Sequence, residues 1–256
     1  MTDSNLPMSM DFRQLFPDPK TVELESLLDS LSLAERATAE RPYVIANFVA
    51  SVDGRATLKG RSGELGDDGD HAIFHGLRER VDAVLVGTVT LQVERYGRIL
   101  GKSERRERRA QGGLTPEPLA CVITRSGMVP TDIPLFRDPE ARIVVFSATE
   151  VDLAGATAQT EAVRVDRGEL TPTTALRHLR AYHGVASLLC EGGPTLFGSM
   201  LEEHVVDELF LTIAPKLAGG GRGPTISYGS ELAHPDEVRL GWLLERRESL
   251  YLRYLL

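Results

Sequence analysis

Apolar and polar positions along this 256-residue chain follow two alternating periods, and each change of period marks an element. Val22, Leu24, Leu27, Leu28 and Leu31 recur at a mainly helical spacing behind Asp18 and Pro19, which offer an N-cap and a first helical residue. A helix is expected over about residues 20–38. Residues 1–16 carry no sustained period and are expected to form an arm. YVIANFVAS, from Tyr43 to Ser51, is a β-rich run stopped by Asp53-Gly54 and predicts a core strand. A polar, Gly-rich loop follows. Ile73, Phe74, Leu77 and Val81 then fall at helical spacing, with Asp70 as the expected cap.

The next strand is AVLVG, ending at Gly87; strand, loop, helix and strand make the βαβ unit of a parallel sheet. LACVIT and RIVVFS continue it as strands. TPTTALRHLRAYHG reads as a helix capped by Thr171, begun by Pro172 and closed by Gly184. VASLLC is a further strand, after which EGGPTLFGSMLEEHVVDE turns into a helix with Leu196, Phe197, Met200, Leu201 and Val205 on one face. ELFLTIAP and the terminal ESLYLRYLL supply the last strands, the final one expected to be antiparallel. No repeat or low-complexity linker divides the chain. The pattern predicts an α/β fold of three layers, a mostly parallel central sheet with helices on both faces. It is expected as one domain over residues 41–256, preceded by the N-terminal arm and helix over residues 1–40.

Composition narrows the classes. A formal charge of −8 gives no general attraction to nucleic acid or to an anionic membrane. The longest apolar runs fall far short of the roughly 20 residues that cross a bilayer, and the N-terminus lacks the basic start and apolar stretch of a secretory signal. Cys121 and Cys190 both lie in apolar segments and read as buried thiols rather than a disulfide. A cytoplasmic, reducing location is expected. The charge-dense GKSERRERRAQGGLTPEP is expected to face water as a helix or loop, with a phosphate-facing flap as the alternative.

In open α/β sheets ligands bind beyond the carboxyl ends of the strands. At those ends stand Glu191-Gly192-Gly193-Pro194-Thr195 and Thr124-Arg125-Ser126. In the first, two glycines let backbone approach a ligand, and Pro194 shapes a helix start whose free N–H groups, with the Thr195 hydroxyl, suit a pyrophosphate. A plain strand-to-helix turn is the competing reading, and the peptide is neither a G-x-G-x-x-G fingerprint nor a P-loop. The second offers hydroxyls and a guanidinium suited to the 2′-phosphate that distinguishes NADPH from NADH; alone it reads more readily as a polar turn. His71 and His75 stand four apart, but no third ligand is evident, and no metal is expected.

RPYVIANFVASVDGRAT, LRERVDAVLVGTVTLQVERYG, VITRSG and LLCEGGPTLFGSMLEEHVVDELFLTIAPKLAGG, in this order over about residues 41–221, resemble the reductase half of the bifunctional riboflavin-biosynthesis deaminase-reductase. The resemblance implies a dihydrofolate-reductase-like fold, NADPH as cofactor, a homodimer, and reduction of the ribosyl group of 5-amino-6-(5-phosphoribosylamino)uracil to the ribityl form. It places Ala50, Thr90 and Glu94 on the cofactor and Gly193 through Ser199 around its pyrophosphate; Gly87, Thr124, Arg125, Ser126, Gly192, Gly193, Pro194, Thr195 and Leu196, at the strand ends, complete the candidate cofactor residues. It puts Arg78 and Glu191 on the substrate side; Glu191 is the candidate for the uracil edge and Arg78 for the substrate phosphate, with a surface ion pair as the alternative for Arg78. Asp53 is the candidate for proton management, with turn-capping as its alternative. Two positions depart from the family pattern: Val89 replaces the second glycine of Val-Gly-x-Gly-Thr, and Leu65 replaces the serine of Gly-Glu-Ser in a shortened substrate loop. The zinc signature of a deaminase, H-x-E…P-C-x-x-C, cannot be written with two cysteines, so no deaminase domain is expected. A dihydrofolate or pterin reductase on the same fold, or a non-catalytic nucleotide-binding protein, are the alternative functions.

Overall fold

The computed structural model describes residues 10–220 and 223–256. In chain order the elements are β1 (Asp11–Phe16), β2 (Lys20–Glu23), α1 (Leu24–Asp29), a 3₁₀ turn (Leu33–Arg36), β3 (Tyr43–Ser51), α2 (Asp68–Arg80), β4 (Ala83–Gly87), α3 (Thr88–Val93), α4 (Ser103–Gln111), β5 (Leu119–Thr124), α5 (Pro134–Arg137) and β6 (Arg142–Ser147). They continue with β7 (Gln159–Arg164), α6 (Pro172–His183), β8 (Ser187–Cys190), α7 (Pro194–Glu202), β9 (Glu208–Ala214), β10 (Arg239–Arg246) and β11 (Ser249–Leu255).

All the strands join one sheet in the order β2-β1-β10-β11-β9-β3-β8-β4-β5-β6-β7. From β9 to β7 every neighbouring pair is parallel; from β2 to β9 every pair is antiparallel. The period of two explains the layers. On β3, Val44, Ala46 and Phe48 point to the face covered by Leu176 and Leu179 of α6 and Phe197 and Met200 of α7, whereas Ile45 points to the face covered by Leu28 of α1, Ile73 and Leu77 of α2 and Leu91 of α3. The fold is therefore the expected three-layer α/β architecture, dihydrofolate-reductase-like in type.

Helix α6 forms as its sequence requires. The Thr171 side chain accepts from the Thr174 N–H, Pro172 opens the first turn, and Gly184 closes it at φ 66°, a left-handed conformation that costs glycine nothing. Both cysteines are free and buried, and burial pushes the Cys190 thiol up to about 12.

The N-terminal expectation is corrected. Residues 11–23 form the β1–β2 hairpin rather than an arm and the start of a long helix; residues 1–9 of the expected arm lie outside the described residues. Helix begins only at Leu24 and stops at Asp29, and Ser32 at φ 46° separates it from the 3₁₀ turn. Tertiary contacts override local spacing here: β1 pairs with β10, and buried Phe12 meets Tyr251 edge-on at 5.0 Å. The terminal strand is antiparallel as expected, but it is no edge, because β11 is bonded to β10 on one side and β9 on the other.

The arginine-rich segment is also more than a solvated face. Arg109 is buried and donates to the carbonyls of Arg78, Glu79 and Val81, supplying the donors that the end of α2 lacks. Arg105 and Arg108 both reach the Glu79 carboxylate. Helix α4 thus fastens the end of α2, the helix that carries Arg78.

Candidate active site

Two clefts open where the parallel strands end, and Thr90 lines both. The first, about 420 Å³, is lined by Gly87 to Thr90, by Ile123 to Ser126, and by Gly193 to Leu196 with Ser199. The expected cofactor positions Gly87, Thr90, Thr124, Arg125, Ser126, Gly193, Pro194, Thr195 and Leu196 are brought together here. The turns are drawn close by backbone: the Gly87 N–H donates to the Gly192 carbonyl at 2.7 Å. Gly192 sits at φ 88°, where a Cβ would also stand 2.9 Å from the Phe48 ring. A Cβ on Gly193 would stand 2.8 Å from the Thr90 hydroxyl, so this turn has room for backbone alone.

The glycine turn, the N-terminal N–H groups of α7 and the hydroxyls of Thr90, Thr124 and Ser126 form a donor set that fits an extended phosphorylated nucleotide. Thr124 is buried, its hydroxyl 3.4 Å from that of Ser126, while the Arg125 guanidinium is exposed at the rim. Val89, where the family pattern has glycine, is 72 % exposed and lines this cleft.

Three other expected cofactor positions lie elsewhere. Ala50 is buried in β3 and lines neither cleft; Gly192 contributes through its carbonyl and the Phe48 contact. Glu94 lines the second cleft, where its carboxylate accepts from the Ser62 N–H and hydroxyl, both at 3.1 Å, and holds the loop above α2.

The second cleft, about 340 Å³, is floored by Glu191 and Arg78, walled by Asn47, Phe74 and Tyr96, and rimmed by His71 and Arg95. The two expected substrate residues bind each other. Arg78 Nε and Nη2 donate to the two Glu191 oxygens at 2.6 Å each, and Nη1 donates to the Ile99 carbonyl. The Tyr96 hydroxyl donates to Glu191 Oε2 at 2.7 Å. Burial opposes the charge on Arg78, but the adjoining Glu191 carboxylate outweighs it and holds the guanidinium above its ordinary value. Burial, followed by the same carboxylate, pushes the Tyr96 hydroxyl well above the phenol range. Arg78, expected at a substrate phosphate, is thus turned onto Glu191, beneath the Phe74 ring at 4.1 Å.

Asp53 lines neither cleft. It accepts from Ser51 Oγ at 2.5 Å and from the Ala218 and Gly219 N–H groups at 3.0 and 2.7 Å, bonds that lower its carboxyl to about 2. Its contacts are those of a turn clamp. Leu65, in place of a substrate-loop hydroxyl, is buried, and Lys216 ties down its carbonyl and that of Glu64.

Asp70 is the residue that sequence reasoning misplaced. The cap of α2 is Asp67, which accepts from the Asp70 N–H at 2.9 Å; this leaves the Asp70 side chain free to line the cleft. It is 7 % exposed, packs against Gly66, where a Cβ would stand 2.3 Å from Oδ2, and is bonded by Thr212. Burial raises its carboxyl above the usual range. Acidic residues at 67, 68 and 70 all suit a helix start, so the sequence alone gave no means of choosing among them.

Fold and paired clefts together are those of the dihydrofolate-reductase-like fold class. The chain belongs to the RibD C-terminal domain family, whose model matches residues 42–242. Among curated relatives, the 2,5-diamino-6-ribosylamino-4(3H)-pyrimidinone 5′-phosphate reductase of Archaeoglobus fulgidus is 29 % identical over 194 residues, covering 74 % of this chain and 87 % of its own. The protein of the same name from Methanothermobacter thermautotrophicus is 28 % identical, covering 78 % and 90 %. The riboflavin biosynthesis protein RibD of Mycobacterium tuberculosis is 29 % identical, but the match spans only 44 % of that longer protein. Among solved structures, a pyrimidine reductase-like protein of Corynebacterium diphtheriae superposes with a TM-score of 0.75 at 22 % identity, covering 91 % of this chain and 98 % of that one. At this identity the superposition shows the fold.

Proposed function

We propose that this chain is an NADPH-dependent reductase of riboflavin biosynthesis, reducing the ribosyl group of a phosphorylated ribosylaminopyrimidine to the ribityl form. The observation that carries the reading is the meeting of the two clefts at Thr90, which sets a phosphate-suited cradle against a polar cleft in a family whose curated relatives are named for this reduction.

The nicotinamide supplies a hydride when bound, and the chemistry is its own. The chain's residues bind, orient and manage protons. Thr124, Ser126 and Arg125 take the 2′-phosphate, and the α7 N-terminus with Gly193 and Thr195 takes the pyrophosphate. In the second cleft the Arg78–Glu191–Tyr96 cluster forms a rigid polar floor under the pyrimidine, and Phe74 gives it an apolar wall. The substrate phosphate belongs at the rim with Arg95, which is 59 % exposed and only 3.7 Å from one counter-charge, Asp132. The nitrogen of the opened ribosylamine takes one proton as C1′ is reduced, and Asp70, which lines this cleft with a carboxyl that burial raises, is the candidate source.

The relatives' substrate carries an amino group at the pyrimidine C2, where the uracil carries a carbonyl. A dihydrofolate or pterin reductase on the same fold is the second reading, because fold does not fix substrate. Incubation of the purified protein with NADPH and each phosphorylated ribosylaminopyrimidine, with mass identification of the product, tests the first. A ribityl product is expected; unchanged substrate from protein that binds NADPH would overturn it.

A further inference from the structure

We propose a structural metal site, suited to zinc, formed by Glu161 of β7 and His178 and His183 of α6, near the amino-terminal ends of the parallel strands, opposite to the ends that carry the clefts. The three offer one ligand atom each, and these atoms lie within 4.8 Å of one another. His178 Nε2 stands 4.0 Å from Glu161 Oε1, and His183 Nε2 stands 3.7 Å from Oε2. Both separations are too long for hydrogen bonds. With metal–ligand bonds of about 2.0–2.1 Å, a tetrahedral ion sets its ligand atoms roughly 3.4 Å apart. Small side-chain rotations close that gap.

A second observation points to a ligand. Both Nε2 atoms are buried and have no hydrogen-bond partner among the described residues. Two orphaned nitrogens aimed at one carboxylate are costly unless something bridges them. The His178 ring is also held in place, edge-on to buried Phe146 at 5.4 Å and stacked on Tyr182 at 4.5 Å.

The location sets the role. The site opens into a hollow of about 270 Å³ lined by Leu119, Arg142 and Gln159, the first residues of β5, β6 and β7, with room for water as a fourth ligand. The cofactor cleft lies at the carboxyl ends of those parallel strands. Strand β7 is the sheet's edge, paired only with β6, so an ion here staples it to the end of α6. Arg142 lines the same hollow but is exposed and solvated. Spacing gave no hint of this set, because a strand residue and two histidines five apart meet only in the fold.

The test uses the whole chain, stripped with chelator and titrated with Zn²⁺ and Co²⁺. One equivalent per chain is expected, with the strong visible absorption of tetrahedral Co²⁺. Zinc at about a hundred times its Kd should raise the unfolding midpoint by roughly 5–10 °C, leaving turnover unchanged. His183→Gln, which spares the packed His178 ring, should weaken binding at least tenfold, as should Glu161→Gln; His71→Ala with His75→Ala should keep the equivalent. Octahedral Co²⁺, no bound equivalent, or binding untouched in both His183→Gln and Glu161→Gln would overturn the proposal.

Discussion

Arg78 on α2 and Glu191, just past the end of β8, grip each other through two 2.6 Å bonds, and through them the floor of the second cleft is fixed to the glycine turn of the first. Glu191→Gln keeps the shape but leaves the buried guanidinium without its counter-charge. A loss of about 3–5 kcal/mol in unfolding free energy is expected, read by urea denaturation. Because Glu191 lines only the second cleft, the folded variant should bind NADPH within about twofold of the parent while turning over more slowly. Abolished cofactor binding in folded protein would contradict this placement.

Arg125 is the exposed guanidinium beside the Thr124 and Ser126 hydroxyls. NADPH should bind about tenfold or more tighter than NADH, and Arg125→Ala should remove roughly that factor, the worth of one charge-assisted contact, while leaving NADH affinity unchanged. Fluorescence titration of both nucleotides measures it. Equal affinities in the parent would refute the assignment.

His75 is lowered to about 4, first by burial and then by Arg78 and Arg105. Its folded value lies below the unfolded value of 6.5, so the unfolded chain takes up the proton first. Its contribution is fully present above pH 6.5 and is lost progressively as pH falls from 6.5 toward 4. His75→Gln should flatten that part of the stability–pH curve, which chemical denaturation at stepped pH would show. An unchanged slope would mean that another group carries it.

The parallel half of the fold was legible because its strands are continuous apolar runs and its helices carry explicit caps, as at Thr171, Pro172 and Gly184. The rest was less so. Edge strand β7 of the parallel half is polar and exposed, so QTEAVR lacks an apolar signal, and antiparallel β10 carries charges at its ends, Arg239, Glu245 and Arg246. The hairpin of β1 and β2 depends on partners more than 200 residues away. In the site, the glycine turn and Thr124-Arg125-Ser126 were readable because backbone needs dictate residue types. The roles of Arg78, Asp53 and Asp70 depend on which way a side chain turns, and only packing decides that.

A homodimer is the proposed assembly, formed across one face of the antiparallel half of the sheet. Leu250, Leu252 and Tyr254 of β11 stand opposite Ile213, Leu211 and Leu209 of β9, and all six are half-buried. Such a partly open apolar sheet face suits a second copy of the chain. Light scattering at micromolar concentration should give about twice 28.0 kDa, and Leu252→Lys should give the monomer. A monomeric parent would contradict the proposal.

The central claim is the substrate, and the most direct measurement is kcat/KM for NADPH oxidation with the phosphorylated 2,5-diaminopyrimidinone, its uracil counterpart and dihydrofolate, side by side. One of the two ribosylaminopyrimidines should exceed dihydrofolate by about a hundredfold or more, and Asp70→Asn should lower kcat by about a hundredfold at unchanged NADPH affinity. Turnover of dihydrofolate alone, or NADPH binding with no turnover of any of the three, would contradict the account.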